Sequence, residues 1–305
     1  MNERSGMSDL VDLHVHSSYS CDADYPPAEI VRMAAGHGYR AVSIADHDTV
    51  AAYPEALEAG RLDGVEIIPG IELTTVYDGR EFHLLLPFVD WTGRAIGRII
   101  EEQTERRRQE AKARVAKMQE LGFSIDWDEV EEKSRGVPPL GIKIAEILLG
   151  NRKNRKNPVL EPYYAKKNGP RAPYLLYRDF FGQGKPAWVA KNFIRLEQAL
   201  QAAPETGGVP VLAHPGASFQ MTTAADLEIL KPLGLAGLEV FTSYHTPEQI
   251  LFYGQLAGKM GLIPTAGSDF HGRIKPHVIF GAMRDGKYWM VEKLRGSIER
   301  KREGR

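Results

Sequence analysis

Two histidines, His14 and His16, stand two residues apart at the end of an apolar segment near the start of the chain. Alternate side chains of a β-strand share one face, so the two imidazoles can reach the same ion. Asp12 lies two residues earlier on that face, where a carboxylate can orient a histidine ligand through a hydrogen bond. The spacing therefore predicts a pair of metal ligands with an orienting carboxylate behind them.

Ionisable residues recur where other apolar segments should continue. A buried ionisable group without a partner costs several kcal/mol, so this repeated departure indicates one shared site. Only histidines and carboxylates are available, and they suit Mn²⁺, Fe²⁺ or Zn²⁺, with Mg²⁺ as a further option. The candidates outnumber the ligands of one tetrahedral ion, which favours a multinuclear centre. They are Asp46, His47, Asp48, Glu72, His83, His214, Glu239, Asp269 and His271.

Strand-like and helix-like segments alternate around these residues. Such alternation is typical of parallel strands with helices outside them, as in a barrel or a doubly wound sheet. The predicted helices are Pro27–His37, a segment around Tyr53–Leu62, Gly97–Leu121 and Ile144–Leu149. The predicted strands are Asp9–His16, Arg40–Ala45, Val65–Thr74, Glu81–Phe88, Val209–Ala213, Gly237–Phe241 and Leu262–Ala266.

The alternation is interrupted in the middle of the chain, where the composition also changes. Between Asn151 and Arg195, eleven basic residues stand against two acidic ones, and eight aromatic residues are interleaved with them. We predict a barrel formed by residues 8–98 and 190–305, with a mainly helical insertion, residues 99–189. The basic end of the insertion is either a flap that recruits a polyanionic substrate or a solvated, loop-rich region packed down by its aromatic side chains.

Composition narrows the class of protein. The 305 residues carry 39 basic and 40 acidic side chains, so the net charge of −1 does not imply a nucleic-acid or membrane partner. The apolar fraction of 43% and the charged fraction of 26% suit a soluble globular enzyme. The single cysteine, Cys21, excludes a disulfide framework and is not expected to act as a nucleophile. With no targeting signal or membrane-length apolar run visible, a cytoplasmic location is predicted.

Seven segments together resemble the PHP-domain family (polymerase and histidinol phosphatase) of metal-dependent phosphoesterases, in the family's order. The resemblance is closest to small stand-alone bacterial members that carry a helical insertion. It implies an α/β fold, a distorted (β/α)7 TIM-like barrel with an inserted, mainly helical subdomain. The segments are Asp12–Asp22, Ala45–Asp48, Pro69–Leu73, the strand around His83, Leu212–Gly216, Gly237–Gln249 and Gly267–Gly272.

By motif position, the resemblance implies a centre of two to three divalent ions. The three implied ligand sets are His14, His16, Glu72 and Asp269; Glu72, His83 and His214; and Asp22, His47 and His271. Asp12, Asp46 and Glu239 would support the ligands without binding metal themselves. His245 would contact phosphate or protonate the leaving group, and Asp48 is expected to act with it in catalysis.

At two positions the residues of this chain differ from those of similar small family members. Those proteins carry an Arg-Pro-His-like segment where this chain has Pro138–Lys143, and an arginine where Ala217 follows the His-Pro-Gly motif. Two phosphate-contacting residues of the family are therefore absent or changed. Other groups are expected to contact the substrate, namely Lys143, Arg171, Arg178, Lys185 and His245.

These features predict a metal-dependent phosphoric ester hydrolase. The expected substrate is a phosphate ester of a nucleotide or of a small phosphorylated metabolite, attacked by a metal-bridging hydroxide. The nearest alternative is a phosphodiesterase that acts on a cyclic phosphate or a short oligonucleotide, as a 5′–3′ exonuclease does. Remoter alternatives are an amidohydrolase-type reaction and a non-catalytic nucleic-acid-binding module. No membrane partner is expected, and the oligomeric state is left open.

Overall fold

A computed structural model describes residues 9–20, 22–134 and 138–303, so Cys21 lies outside the described residues. The chain forms two compact units. One comprises Met1–Ile100 and Ile194–Arg305, and the other comprises Glu101–Phe193. The division into a barrel of residues 8–98 and 190–305 and an insertion of residues 99–189 stays a prediction.

Strands and helices alternate along much of the chain. The strands are β1 (Leu10–Val15), β2 (Tyr39–Ile44), β3 (Glu66–Ile67), β4 (Glu72–Tyr77), β5 (Arg80–Leu85), β6 (Ile194–Arg195), β7 (Val211–Leu212), β8 (Gly237–Thr242) and β9 (Ile263–Gly267). The helices are α1 (Pro27–Gly36), α2 (Tyr53–Asp63), α3 (Arg94–Glu120), α4 (Trp127–Lys133), α5 (Gly141–Gly150), α6 (Ala172–Phe180), α7 (Leu196–Thr206), α8 (Ala224–Leu230), α9 (Pro247–Met260) and α10 (Tyr288–Glu303). Short 3-10 helices cover Arg152–Lys156, Pro158–Tyr164, Gly169–Arg171, Lys231–Leu233 and Gly272–Ile274.

Local sequence explains where helix α9 begins. The Thr246 hydroxyl accepts a hydrogen bond from the Gln249 backbone N–H, and the Gln249 side chain accepts one from the Thr246 N–H. This reciprocal pair satisfies backbone donors that the first helical turn leaves unpaired. Pro247 occupies the first helical position, where its missing N–H costs nothing. The helix therefore begins directly after the loop that carries Tyr244 and His245.

Two sheets carry the strands of the first unit. One has the order β1-β2-β3 and is parallel, and the other has the order β6-β4-β5-β7-β8-β9. Isolated parallel bridges, Val15–Phe270 and His47–Glu72, connect the two sheets. The fold is thus of the distorted α/β barrel type expected from the sequence, with the strands of the first unit in two sheets. The second unit is mainly helical.

The expected strand Val65–Thr74 is broken into β3 and β4. The break lies at Pro69 and Gly70, because proline donates no ladder hydrogen bond. The buried Tyr53 hydroxyl bridges this break, since its single proton lies between the carbonyl oxygens of Ile44 and Gly70 and its oxygen accepts from the Gly70 N–H. The end of β2 and the start of β4 are therefore held together.

Strand β5 also departs from the parallel pattern expected from the sequence. It pairs antiparallel with both β4 and β7. Asp78 and Gly79, with φ angles of 48° and 70°, form the two-residue turn between β4 and β5. Such a turn requires positive φ at both residues, which Asp-Gly supplies readily. The hairpin opposes His83 to Thr74, so His83 reaches the same region as Glu72.

Alternation along the strands separates the hydrophobic core from the polar interior of the first unit. On β5, Phe82 and Leu84 are fully buried in the largest hydrophobic cluster, and His83 between them points to the opposite face. On β1, Val11, Leu13 and Val15 are buried among apolar neighbours, and Asp12, His14 and His16 alternate with them. The period of two explains how one strand serves both regions.

The second unit has a hydrophobic core of its own, formed by residues such as Met118, Leu148 and Phe181. The sequence Arg152–Lys156 was expected to be part of a loop-rich region, yet it forms a 3-10 helix. Asn154 anchors it, because this buried side chain donates to the carbonyl oxygens of Ser124 (2.8 Å) and Leu148 (3.0 Å). Short-range side-chain hydrogen bonds of this kind were not visible in the composition.

Among the described residues, no helix combines the length and the apolar character needed to cross a membrane. The cytoplasmic location stays a prediction.

Candidate metal centre

Glu72 is fully buried and surrounded by histidines. Its Oε1 atom lies 3.0 Å from His83 Nδ1 and 3.1 Å from His214 Nε2. Its Oε2 atom lies 3.1 to 3.2 Å from ring nitrogens of three further residues, His14, His16 and His47. A separate group of imidazoles around each oxygen is the geometry expected of a carboxylate that bridges two metal ions.

The ionisable side chains form three overlapping groups, and the ligand atoms of each group lie within 4.8 Å of one another. The groups are His14, His16, Glu72 and Asp269; His47, Glu72 and His83; and His16, Asp22, His47 and His271. Glu72, His16 and His47 each belong to two groups, so neighbouring ions in these positions would share ligands.

The first of these groups coincides with the first ligand set that the resemblance implies. The other two differ in detail from the implied sets. His47, expected with Asp22 and His271 alone, also faces Glu72, and His16 approaches the third group. His214 lies outside the three groups, although its Nε2 atom is 3.1 Å from Glu72 Oε1. The structure thus brings the nine expected ligands, Glu72 among them, together in one cluster.

Several ligand atoms are buried without a hydrogen-bond partner. Among the described residues these include Glu72 Oε2, His47 Nδ1 and His271 Nε2. Such atoms are rare in folded proteins, because leaving one unpaired costs about 1–3 kcal/mol. Imidazole and carboxylate lone pairs directed into one space are the donor set of a divalent ion. The residues therefore fit divalent metal ions.

Burial and neighbouring charges shift the pKa values of the histidines and carboxylates in the cluster. Burial alone would lower the pKa of His16, but the adjacent carboxylates of Asp269 and Glu72 raise it to about 9. Burial alone would raise the pKa of Glu72, but the neighbouring histidines hold it well below its usual value. Burial lowers the pKa of His47 well below its usual range. At neutral pH Glu72 is therefore anionic and His47 neutral, the forms that bind metal, whereas a metal ion would have to displace a proton from His16.

The three carboxylates expected to support the ligands are buried and hydrogen-bonded. Asp12 Oδ1 accepts from the His14 N–H at 3.2 Å and the Ser268 N–H at 2.9 Å. Asp46 accepts from the backbone N–H and the hydroxyl of Ser17, at 2.6 and 2.7 Å. Burial raises the pKa of both Asp12 and Asp46 to about 6. These carboxylates hold the loops that carry the ligands.

Glu239 has the most direct effect on ligand orientation. Its Oε1 atom accepts from His14 Nδ1 at 3.0 Å, and its Oε2 atom accepts from the His214 backbone N–H at 2.8 Å. With Nδ1 protonated toward Glu239, the Nε2 lone pair of His14 faces Glu72 and Asp269. A carboxylate partner of this kind fixes both the tautomer and the orientation of a histidine ligand.

Replacing Glu239 with glutamine is expected to weaken metal affinity by about 10- to 100-fold. The amide has one acceptor oxygen, so its NH₂ group must face one of the two donors that Glu239 now satisfies. Competition with a chromogenic chelator measures the affinity. Glu228→Gln, an exposed site on α8, is the matched control, and equal affinities for the two variants would contradict the orienting role.

Backbone strain coincides with the cluster. His214 and Asp269 have φ angles of 23° and 56°, and Asp48, beside His47, has a φ angle of 51°. Non-glycine residues adopt positive φ at a cost of about 1–3 kcal/mol, and such residues concentrate at functional sites. His214 and Asp269, two of the expected ligands, thus adopt these conformations just after β7 and β9, close to Glu72.

His245 and Asp48, the expected catalytic residues, both make contacts within the fold. His245 Nδ1 donates to the Val240 carbonyl at 2.8 Å, and Nε2 accepts from the Gly216 N–H at 2.9 Å. Burial lowers the pKa of His245, so the neutral ring has no proton to spare in this conformation. Asp48 Oδ1 accepts from the Thr74 N–H at 3.1 Å. Both catalytic roles stay predictions.

The expected substrate-binding residues other than His245 are four cations of the unit Glu101–Phe193. Lys143 pairs with Glu146 at 3.0 Å and Arg178 pairs with Asp179 at 2.8 Å. Arg171 and Lys185 are exposed. A role in binding substrate stays a prediction for all four.

Three residues that the sequence reasoning missed border the cluster. Lys275 Nζ donates to Asp269 Oδ2 at 2.8 Å, and the Tyr244 hydroxyl donates to the same oxygen at 2.7 Å. The half-exposed ring of Phe219 lies 5.3 Å from that of His83 and 5.4 Å from that of His214, between centroids. All three stand within five residues of a histidine in the motifs, and this proximity was the available signal.

Comparisons with known proteins place the chain in a family. The PHP domain pattern matches residues 12–126. Over 277 residues the chain is 31% identical to the phosphoribosyl 1,2-cyclic phosphate 1,2-diphosphodiesterase of Eggerthella lenta, with 89% of this chain and 98% of that protein covered. The chain belongs to the PHP-domain family. This PHP protein is therefore a hydrolase, a phosphoesterase that depends on divalent metal ions.

Further relatives cover most of the PHP chain. It is 26% identical to the 5′-3′ exoribonuclease of Haemophilus influenzae, over 87% of this chain and 91% of that one. It is 24% identical to the 3′,5′-nucleoside bisphosphate phosphatase of Chromobacterium violaceum, over 86% and 87%. A Bifidobacterium adolescentis structure described as a metal-dependent phosphoesterase matches with a TM-score of 0.74 at 25% identity, over 93% of this chain and 94% of that chain. The likeness therefore extends over both compact units.

Proposed function

We propose that the cluster around Glu72 binds two to three divalent ions, of Mn²⁺, Fe²⁺ or Zn²⁺ type with Mg²⁺ as a further option, and that the protein hydrolyses a phosphate ester of a nucleotide or a small phosphorylated metabolite. The observation that carries this proposal is the pair of Glu72 oxygens, each facing its own group of imidazoles. In this proposal Glu72 is the shared ligand. The remaining ligands are His14, His16, Asp22, His47, His83, His214, Asp269 and His271.

Divalent ions bound there would lower the pKa of water and offset the negative charge of the phosphoryl oxygens. The chain's own residues prepare the site for them. Glu239 orients His14 and fixes the backbone of His214, so two ligands depend on one carboxylate. Tyr244 and Lys275 hold Asp269 through Oδ2 and leave Oδ1 directed at His14 and His16. Such preorganisation means that little reorganisation is needed during the reaction.

Hydrolysis of a phosphodiester, in a cyclic phosphate or a short oligonucleotide, is the second candidate. The 31% identity to a cyclic phosphate diphosphodiesterase and the 26% identity to an exoribonuclease favour it. The relationship to a bisphosphate phosphatase at 24% identity favours the monoester. One set of metal ligands can serve both reactions, because each is an in-line displacement at phosphorus.

The test begins with protein stripped by a chelator and reloaded with one ion at a time. We expect no hydrolysis without metal and recovered hydrolysis with Mn²⁺, Fe²⁺ or Zn²⁺. The substrates are a nucleoside 3′,5′-bisphosphate, a ribose cyclic phosphate and a short RNA. Phosphate released directly from the bisphosphate indicates a monoesterase. Phosphate released from the cyclic phosphate only after added alkaline phosphatase indicates a diesterase, because alkaline phosphatase alone does not open the ring.

Two outcomes would contradict the proposal. Hydrolysis confined to amide or lactone substrates would indicate the amidohydrolase-type reaction. Failure on every phosphoester with every ion, together with normal nucleic-acid binding by a His14→Ala variant, would indicate a non-catalytic binding module.

A further inference from the structure

Lys275 lies beside the metal-ligand cluster, just after the 3-10 helix Gly272–Ile274. Its ammonium contacts Asp269 Oδ2 at 2.8 Å, and Asp269 Oδ1 lies 3.2 Å from His14 Nε2 and 3.1 Å from His16 Nε2. A single carboxylate group therefore separates this cation from the first group of ligands. The Lys275 side chain keeps 26% of its surface exposed, whereas that of Asp269 keeps only 2%. The lysine thus borders both the buried cluster and solvent.

The hydrogen bonds of Lys275 leave it able to contact a ligand. An ammonium group has three N–H donors. Among the described residues, Lys275 uses two of them, toward Asp269 Oδ2 at 2.8 Å and toward the Tyr244 hydroxyl oxygen at 2.9 Å. Tyr244 in turn donates its proton to Asp269 Oδ2. This triangle holds the ammonium in place without using its third donor.

A positive side chain would stabilise a phosphoryl group at the cluster in addition to the metal ions. The charge of the phosphoryl group is spread over several oxygens, and catalysis of phosphoryl transfer depends on neutralising that charge. The position after the His-Pro-Gly motif cannot supply that positive side chain, because it is occupied by Ala217, which is buried and uncharged. Lys275 is a partly exposed cation that the first unit itself holds beside the ligand groups.

We propose that Lys275 binds a phosphoryl oxygen of the substrate through its third N–H, and that Tyr244 positions its ammonium for this contact. The inference rests on the proposed function, because it assigns the anion contact of that same site. It names phosphate, as an ester or as the free ion, as the group that is recognised. It also places the substrate on the side of the cluster where Asp269 stands.

The test compares Lys275→Ala, Lys275→Arg and Tyr244→Phe with the unaltered protein, each loaded with Mn²⁺. Lys259→Ala, which removes the same charge from an exposed position on α9, is the matched control. Three quantities are measured: metal ions per chain, the Kd of inorganic phosphate by calorimetry, and KM and kcat for the phosphoester. Phosphate binding does not require turnover, so it reports on Lys275 even if no hydrolysed ester is found.

We expect Lys275→Ala to keep its metal content. Its Kd for phosphate and its KM for the phosphoester should each rise by about 10- to 100-fold, the usual loss for a hydrogen bond to a charged group. Lys275→Arg should recover part of the loss. Tyr244→Phe should weaken phosphate binding by a smaller factor, and Lys259→Ala should change nothing.

Two results would overturn the inference. If Lys275→Ala loses metal and phosphate binding together, the lysine only positions Asp269. If its phosphate Kd equals that of the Lys259→Ala control, or if the unaltered protein binds no phosphate, Lys275 does not contact the anion. Failure of the unaltered protein to hydrolyse any phosphoester, with phosphate binding still dependent on Lys275, would instead count against the proposed function alone.

Discussion

Glu72→Gln is expected to lower kcat/KM by about 10³-fold or more, which corresponds to roughly 4 kcal/mol of lost transition-state stabilisation. Both carboxylate oxygens of Glu72 face imidazole nitrogens within 3.0 to 3.2 Å. An amide keeps the shape of the side chain but has a single acceptor atom and no charge. One of the two groups of histidines would therefore lose its shared ligand, and the metal ions would lose a negative charge between them.

Steady-state kinetics and metal content per chain together measure this effect. The variant should retain fewer ions than the unaltered protein and should stay folded, because the substitution preserves volume. Glu58→Gln, an exposed carboxylate on α2 that pairs with Arg61, is the control for the change of charge. Full metal content with full activity in Glu72→Gln would rule out a bridging role for this carboxylate.

Gly267→Ala is expected to lower activity by about 100-fold and the free energy of unfolding by about 1–3 kcal/mol. A Cβ atom at Gly267 would overlap the Cβ atom of His14 and the Oε1 atom of Glu239, and it would lie 3.1 Å from the His14 Cα atom. The His14 backbone belongs to a buried strand and cannot swing aside as an exposed side chain can. Either β9 or β1 must therefore shift, and His14 shifts with it.

Gly258→Ala is the matched control, and it should change the free energy of unfolding in the opposite direction. This glycine lies within α9, and a Cβ atom there would meet nothing within 4 Å. Alanine should stabilise the helix by about 0.5–1 kcal/mol and leave activity unchanged. Thermal or urea unfolding and kcat/KM are measured for both variants. If the two substitutions had the same effect on activity, this would contradict the prediction that Gly267 is needed for β9 to pack closely against His14.

The two proposed reactions make different demands on the same centre. A monoester ends in a group with two negative charges, whereas a diester carries one negative charge and a second organic arm. A cation beside the metal-ligand cluster serves either substrate, so Lys275 does not discriminate between them. The aromatic ring of Phe219 lies beside His83 and His214. The two substrates differ most in their organic part, because a diester has a second organic group on phosphorus.

Local patterns in the sequence were enough to predict the chemistry of the site. A strand with a period of two places Asp12, His14 and His16 on one face, and this follows from backbone geometry alone. The scarcity of cysteine limits any metal ligands to imidazole and carboxylate. Pro247 and the reciprocal Thr246–Gln249 pair likewise begin helix α9 through contacts within four residues. These features depend on neighbours in the chain, so the sequence displays them directly.

The interpretation of the sequence was wrong in two places where a local signal was overlooked. Strand β5 was expected to be parallel, but the Asp78-Gly79 turn folds it back onto β4. The segment Arg152–Lys156 looked like loop, but contacts of Asn154 with Ser124 and Leu148 organise it. In both cases a short-range signal was present, in an Asp-Gly pair or an asparagine side chain, and it was outweighed by composition.

The sequence by itself determined which residue types are available to bind a metal and which strands carry them. Only the tertiary structure decided which atoms meet: that the two oxygens of Glu72 face separate groups of histidines, and that Lys275 lies against Asp269. The physical reason is that the chemistry of a ligand depends on one side chain alone. The distance between two ligands depends instead on the backbone hydrogen bonds that align β1, β4, β8 and β9. Such backbone hydrogen bonds join residues about 250 positions apart, as the bond from the Asp269 N–H to the His14 carbonyl oxygen shows.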